Sequence, residues 1–239
     1  MKHLMQFAAV GALALMSAAP AMADTINFES IGSTTFNGTE TFTEAGYTLE
    51  VIDTPAVPGG TGFAGGIGNG LDPFLCEIAS CPSGNSSYFY MGVNDGGLKV
   101  SREDHQSFRL SSLDYAFLAP VGGLPGYSYG QLTVTGTTVG GSSVQATFDF
   151  PALVGGSSPF ASANLYSQFG NTLFSNVTIS SCLFADTACI SPAGNQAQFT
   201  LDNLVLAAVP EPETYAMMGL GLAAIGLVAR RRAKKQNNV

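Results

Sequence analysis

Gln131-Leu132-Thr133-Val134-Thr135-Gly136, joined through Val139-Gly140-Gly141 to Ser143-Val144-Gln145-Ala146-Thr147-Phe148-Asp149-Phe150, decides the reading of the fold. Leu132 and Val134 in the first arm, and Val144, Ala146 and Phe148 in the second, alternate with polar residues. A period of two puts one set of side chains on one face of a pleated strand, so one face is core and the other wet. The paired glycines permit the positive φ that a tight hairpin turn requires. A β-hairpin is expected here.

The same pattern recurs outward from it. Thr25 to Glu29, Gly46 to Ile52, Ser87 to Met91, Leu98 to Ser101, Ser107 to Leu110 and Leu113 to Leu118 read as strands. Asn176 to Ser180 and Gln198 to Ala207 read as the last two. A glycine-rich stretch from Pro55 to about Asn85 exceeds the usual loop length and is taken as a long loop. No segment of the interior shows a helical period. About ten strands with frequent turn signals predict an all-β fold, a two-sheet antiparallel sandwich of jelly-roll type. It spans residues 24–207, enough chain for one ordinary domain with its own core.

Charge narrows the partners. Residues 24–208 hold 15 acidic residues against three basic ones, Lys99, Arg102 and Arg109, a balance of −12. Such a body repels nucleic acid and anionic lipid, and neither is an expected partner.

Both ends are addressed differently. Residues 1–23 have Lys2, an apolar core from Phe7 to Met16 and the small-x-small pattern Ala21-Met22-Ala23, which is a secretory signal peptide leaving Asp24 as the new N-terminus. At the other end, Val209-Pro210-Glu211-Pro212 forms a stiff, exposed spacer, because a proline pair fits neither a helix interior nor a central strand. The uncharged run from Tyr215 to Ala229 follows, then Arg230, Arg231 and Arg232 with Lys234 and Lys235. Fifteen residues of helix make roughly 22 Å, short of a bilayer core of about 30 Å. A short transmembrane helix with a cationic stop on the cytoplasmic side suits a temporary anchor.

Residues 208–235 resemble the PEP-CTERM sorting signal of Gram-negative, exopolysaccharide-forming bacteria. The resemblance rests on Pro210, Glu211 and Pro212, the apolar helix with Gly219, Gly221 and Gly226, and the Arg/Lys terminus. Gln198-Phe199-Thr200-Leu201-Asp202 resembles the QFxxD motif of one subgroup of these exported proteins. The resemblance implies an exosortase, a membrane-embedded cysteine peptidase, as a sorting partner that cuts near the Pro-Glu-Pro. It implies passage through the inner membrane, held transiently by the C-terminal helix, to the cell surface, outer membrane or extracellular matrix.

Four cysteines in an exported chain read as disulfides. Local pairs, Cys76 with Cys81 and Cys182 with Cys189, are expected because each closes a small ring around turn residues; two other connectivities stay open on sequence alone. Tetrathiolate zinc is disfavoured because its cysteines usually sit two residues apart. Phe28-Glu29 and Phe199 to Asn203 also resemble the first and last strands of carbohydrate-binding jelly rolls. That resemblance implies a candidate structural calcium at Glu29, Asp202 and Asn203, though Ca²⁺ needs six to eight oxygens and no EF-type loop is present. No other cofactor is expected.

Catalytic apparatus is thin. His105 is the one histidine after the signal, set in the charged turn Arg102-Glu103-Asp104, and no Gly-x-Ser-x-Gly elbow accompanies it. The chain is therefore read as a non-enzymatic exported surface or matrix protein associated with exopolysaccharide. A sugar-binding module is the alternative; with no tryptophan, its platforms would be Tyr88, Phe89, Tyr90, Tyr127 and Tyr129. A secreted hydrolase with spatially paired carboxylates ranks third.

Overall fold

The structure is a computed structural model that describes residues 23–53, 62–71, 79–120, 122–208 and 219–226. Ala23–Ala208 forms a compact unit by itself. Its strands are β1 (Ala23–Ile26), β2 (Thr34–Asn37), β3 (Thr41–Glu44), β4 (Tyr47–Ile52) and β5 (Phe63–Asn69). Then come β6 (Ala79–Ser80), β7 (Tyr88–Gly92), β8 (Gly97–Arg102), β9 (Phe108–Phe117) and β10 (Ala119–Pro120). The last are β11 (Ser128–Thr138), β12 (Ser143–Asp149), β13 (Ala161–Asn164), β14 (Phe174–Ala185), β15 (Ala188–Ile190) and β16 (Phe199–Ala208). One helical turn, α1 (Tyr166–Phe169), precedes β14.

Two antiparallel sheets emerge from the pairing. One runs β12–β11–β14–β8–β4–β3, with β15 folded back on the end of β14. The other runs β2–β5–β7–β16–β9–β13, with β1 beside the second half of β16. Among the described strands they join through one residue pair, Phe174 with Phe108. This is the expected two-sheet sandwich. A two-stranded ribbon of β6 and β10 stands apart from both sheets.

The hairpin has the expected register. Leu132 faces Phe148, Val134 faces Ala146 and Gly136 faces Val144. Leu132, Val134 and Ala146 are buried, while Thr133, Thr135 and Thr147 lie on the wetter face. Gly141 turns the chain at φ 82°, donating its N–H to the Thr138 carbonyl at 2.9 Å.

Two expectations are corrected, and two strands are added. The opening strand ends at Ile26; Phe28 has φ 61°, so the chain turns there and drops its ring into the core. Strands β2 and β3 fill the segment between the first two strands read from the sequence. Most consequentially, Phe63–Asn69 is an inner strand inside the stretch taken as a loop. Its glycines answer to neighbours. A Cβ at Gly65 would lie 2.5 Å from the Tyr90 hydroxyl, which is fully buried and donates to the Gly97 carbonyl at 3.0 Å. Burial pushes that phenol's pKa well above its usual range.

Candidate functional site

The end of β9 builds an open groove. After Phe117 the chain runs along β10, which pairs Ala119 with Ser80 and Pro120 with Ala79 of β6. It turns at Gly123, φ 76°, whose N–H donates to the Pro120 carbonyl at 3.0 Å. A second tight turn, Tyr127 N–H to the Leu124 carbonyl at 3.1 Å, delivers Tyr127 to the mouth of β11. Tyr129 follows two residues later on the same strand, 38% exposed, with its ring edge-on to Phe117 at 5.4 Å. The opposite wall is the turn after Phe150, where Val154 and Ser157 exchange backbone hydrogen bonds at 2.8 and 3.2 Å.

These walls are tied to each other. The Ser80 hydroxyl donates to the Gly156 carbonyl at 2.7 Å across the groove. Beneath it, the Ser83 N–H donates to the Ser158 carbonyl at 2.9 Å, and the Ser158 hydroxyl accepts the Phe117 N–H at 3.1 Å. The resulting space is about 630 Å³, lined by Ser80, Pro120, Leu124, Tyr127, Tyr129 and Leu153 among others. Among the described residues, no Asp, Glu, His, Lys or Arg lines it. Two phenol rings, backbone polar groups and small apolar side chains suit an uncharged ligand.

Of the five aromatic platforms read from the sequence, Tyr127 and Tyr129 reach the groove. Phe89 and Tyr90 do not, because β7 is buried on both faces. Tyr90 points into the main core against Phe28 and Phe199, and Phe89 joins a satellite cluster with Met91, Val93 and Leu118. Tyr88 is half-buried and packs on the main core.

The acidic residues named for calcium belong to a different place, a seam between the first and last strands and the segment 85–88. Asp202, 1% exposed, accepts from Asn85 Nδ2 at 2.6 Å, from the Ser87 hydroxyl at 2.9 Å and from the Asn203 N–H at 2.7 Å. Glu29 accepts the Tyr88 N–H at 2.8 Å. Asn203 points elsewhere, donating to Asp114 at 2.9 Å. Donors therefore converge on these carboxylates where a cation needs further oxygens. Among the described residues no group of three or more His, Cys, Asp or Glu is arranged to hold a metal. The calcium expectation does not fit this seam.

Burial raises the Asp202 pKa, against the opposing hydrogen bonds from Asn85 and Ser87. The Ser87 hydroxyl also lies 2.6 Å from Asn85 Oδ1 and has one proton for two acceptors. A proton on Asp202 would donate to Ser87 and free that hydroxyl for Asn85, so the neutral carboxyl is accommodated. Glu44, which accepts the Phe28 N–H at 3.1 Å, is likewise raised by burial.

A second buried carboxylate escaped sequence reading. Asp95, 7% exposed at φ 59°, accepts three backbone N–H groups, from Ala193 at 3.0 Å, Asn195 at 2.6 Å and Ala197 at 2.8 Å. The Asn94-Asp95 step before Gly96 was a legible turn signal, but its distant partner had none.

Cys182 and Cys189 form the expected disulfide, Cα atoms 5.5 Å apart, across the β14–β15 hairpin. Cys76 lies outside the described residues. His105 sits exposed in its charged turn, and Arg102 pairs with Asp104, holding that carboxyl down at about 2. In the tail, residues 219–226 are helical; Pro210, Glu211, Pro212, Arg230, Arg231 and Arg232 lie outside the described residues, as does the signal peptide up to residue 22. Among the described residues no helix is long and apolar enough to cross a membrane.

Residues 208–232 match the PEP-CTERM protein-sorting motif. The chain carries a PEP-CTERM sorting motif. The match implies export and, as the general kind of partner, a sorting exosortase. Gln198–Asp202 lies outside the matched segment; in this chain Phe199 is core and Asp202 belongs to the seam. Among solved structures, the chain is similar to a DUF4465 family protein from Bacteroides caccae at 12% identity and TM-score 0.45, covering 80% of this chain and 94% of that one. A DUF4465 family protein from Bacteroides ovatus gives 9% identity and TM-score 0.44, covering 80% and 100%. The structure titled TmCBM61 in complex with beta-1,4-galactotriose gives 8% and 0.33, covering 75% and 92%. No curated protein sequence matches the chain.

Proposed function

We propose that this chain is a non-enzymatic component of the cell surface or extracellular matrix, processed by an exosortase at its tail and associated with exopolysaccharide. The observation that carries the reading is the sorting motif at residues 208–232, placed directly after the last strand of a β body. The signal peptide read from residues 1–23 agrees with it. The non-enzymatic reading keeps to the sequence, where His105 is the one histidine after the signal and no Gly-x-Ser-x-Gly elbow accompanies it.

Within the body, Ala23 pairs with Ala207 and Ala207 pairs with Arg109, which sets the first and last strands beside the start of β9. The groove lies at the Phe117 end of the same β9, eight residues further, or roughly 26 Å at about 3.3 Å per residue.

The test is replacement of Pro210, Glu211 and Pro212 by alanines in the native host. The expected result is loss of tail processing, seen by intact mass, and retention away from surface and medium. Unchanged mass and location would sink the proposal.

A further inference from the structure

We infer that the Tyr127–Tyr129 groove is a binding site for a neutral polysaccharide segment. The inference deepens the reading above, because it supplies the site and the charge class of the sugar, and it rests on that reading for its biological setting. The argument begins with charge. The exported body carries 15 acidic residues against three basic ones, so an anionic polymer approaches it against a long-range field. Among the described residues that line the groove there is no cation to reverse that repulsion and no carboxylate to attract a cationic ligand. An uncharged partner is what remains.

Chemistry then separates a sugar from a greasy partner. A pyranose has an apolar C–H face and a rim of hydroxyls. The groove offers the complement of both: phenol rings whose faces present a negative quadrupole, and phenol hydroxyls with backbone groups beside them. Tyr129 stands on β11 and Tyr127 on the residue just before it, after the Leu124–Tyr127 turn, so the two rings lie two residues apart at the mouth of the strand. Tyr129 is held by its edge contact with Phe117, and the Ser80–Gly156 hydrogen bond keeps the far wall in place. The site is built before a ligand arrives, which limits the ordering cost of binding.

The test uses the full chain in mild detergent, in affinity electrophoresis through gels containing neutral glucan, mannan, galactan or xylan, with alginate and polygalacturonate as charged controls. Because the chain has no tryptophan, quenching of tyrosine fluorescence reports the same event. The expected result is retardation by at least one neutral polymer. Tyr129→Ala or Tyr127→Ala should weaken it by about tenfold, with the melting temperature kept by Tyr129→Ala and lowered by Tyr127→Ala, whose ring also packs on the main core, while Tyr129→Phe keeps most of it. No retardation by any neutral polymer would overturn the inference, as would equal retardation of wild type and both alanine variants, or preference for the charged gels. Self-association abolished by Tyr129→Ala would also overturn it and give the groove to a second copy. Because these outcomes are read on purified protein, a failure here leaves the sorting experiment, and the reading it tests, standing.

Discussion

Two regions of this sandwich handle polar chemistry in opposite ways. The buried carboxylates, Asp95 and Asp202, are surrounded by donors and closed to solvent. The groove at Tyr127 and Tyr129 is open, uncharged and rich in unspent surface. In the first, each polar atom is committed to holding distant chain segments together; in the second, the fold is already complete without it. The difference teaches where substitution should damage stability and where it should damage only recognition.

The largest loss is expected at Asp95→Ala. Three N–H groups, two of them buried, would lose their acceptor, costing about 4 kcal/mol, read as a drop in the urea midpoint. Stability within about 0.5 kcal/mol of wild type would erase the contrast.

Asp202→Ala should cost less, about 3 kcal/mol, since Ser87 keeps Asn85 as a partner. This seam also predicts a pH dependence. The Asp202 and Glu44 pKa values are raised in the fold. Their contribution is therefore fully present below the ordinary carboxylate range and is lost as pH rises through the raised values. Melting temperature should accordingly gain from these two groups as pH falls from neutral toward that range, and Asp202→Asn should flatten the slope. A slope of opposite sign that this variant leaves untouched would count against the seam. Calcium or EDTA should leave the melting temperature unchanged, since donors fill the space a cation needs.

Opening the Cys182–Cys189 bridge by reduction should cost about 2 kcal/mol, because it closes a short hairpin ring rather than the core. A loss of the Asp95 size would mean that the bridge holds more than its own hairpin. Smallest of all, Tyr129→Ala should change stability by under about 1 kcal/mol, with its effect confined to ligand retention.

Legibility followed how local the cause was. The β11–β12 hairpin was readable because alternation and turn glycines lie within one short stretch. The inner strand β5 was not, because Phe63–Asn69 has the composition of a loop. Its glycines make room for Tyr90 and Met91 of a strand more than twenty residues away. The groove was half readable. Tyr127 and Tyr129 were named with Tyr88, Phe89 and Tyr90, and nothing in either run says which is buried. A satellite cluster under β7 settles that, and it assembles Ala79, Leu118 and Phe160 from three other segments.

The sequence by itself determined the class of fold and the export address at the tail, since periodicity and a contiguous motif are properties of neighbouring residues, whereas the β14–β15 hairpin that carries the Cys182–Cys189 bridge came from the structure. Only the tertiary structure decided that Asp202 and Glu29 are hydrogen-bonded anchors and that two tyrosines out of five aromatics line a groove. Burial and partner choice depend on segments brought together across the whole chain, and no local pattern encodes that meeting.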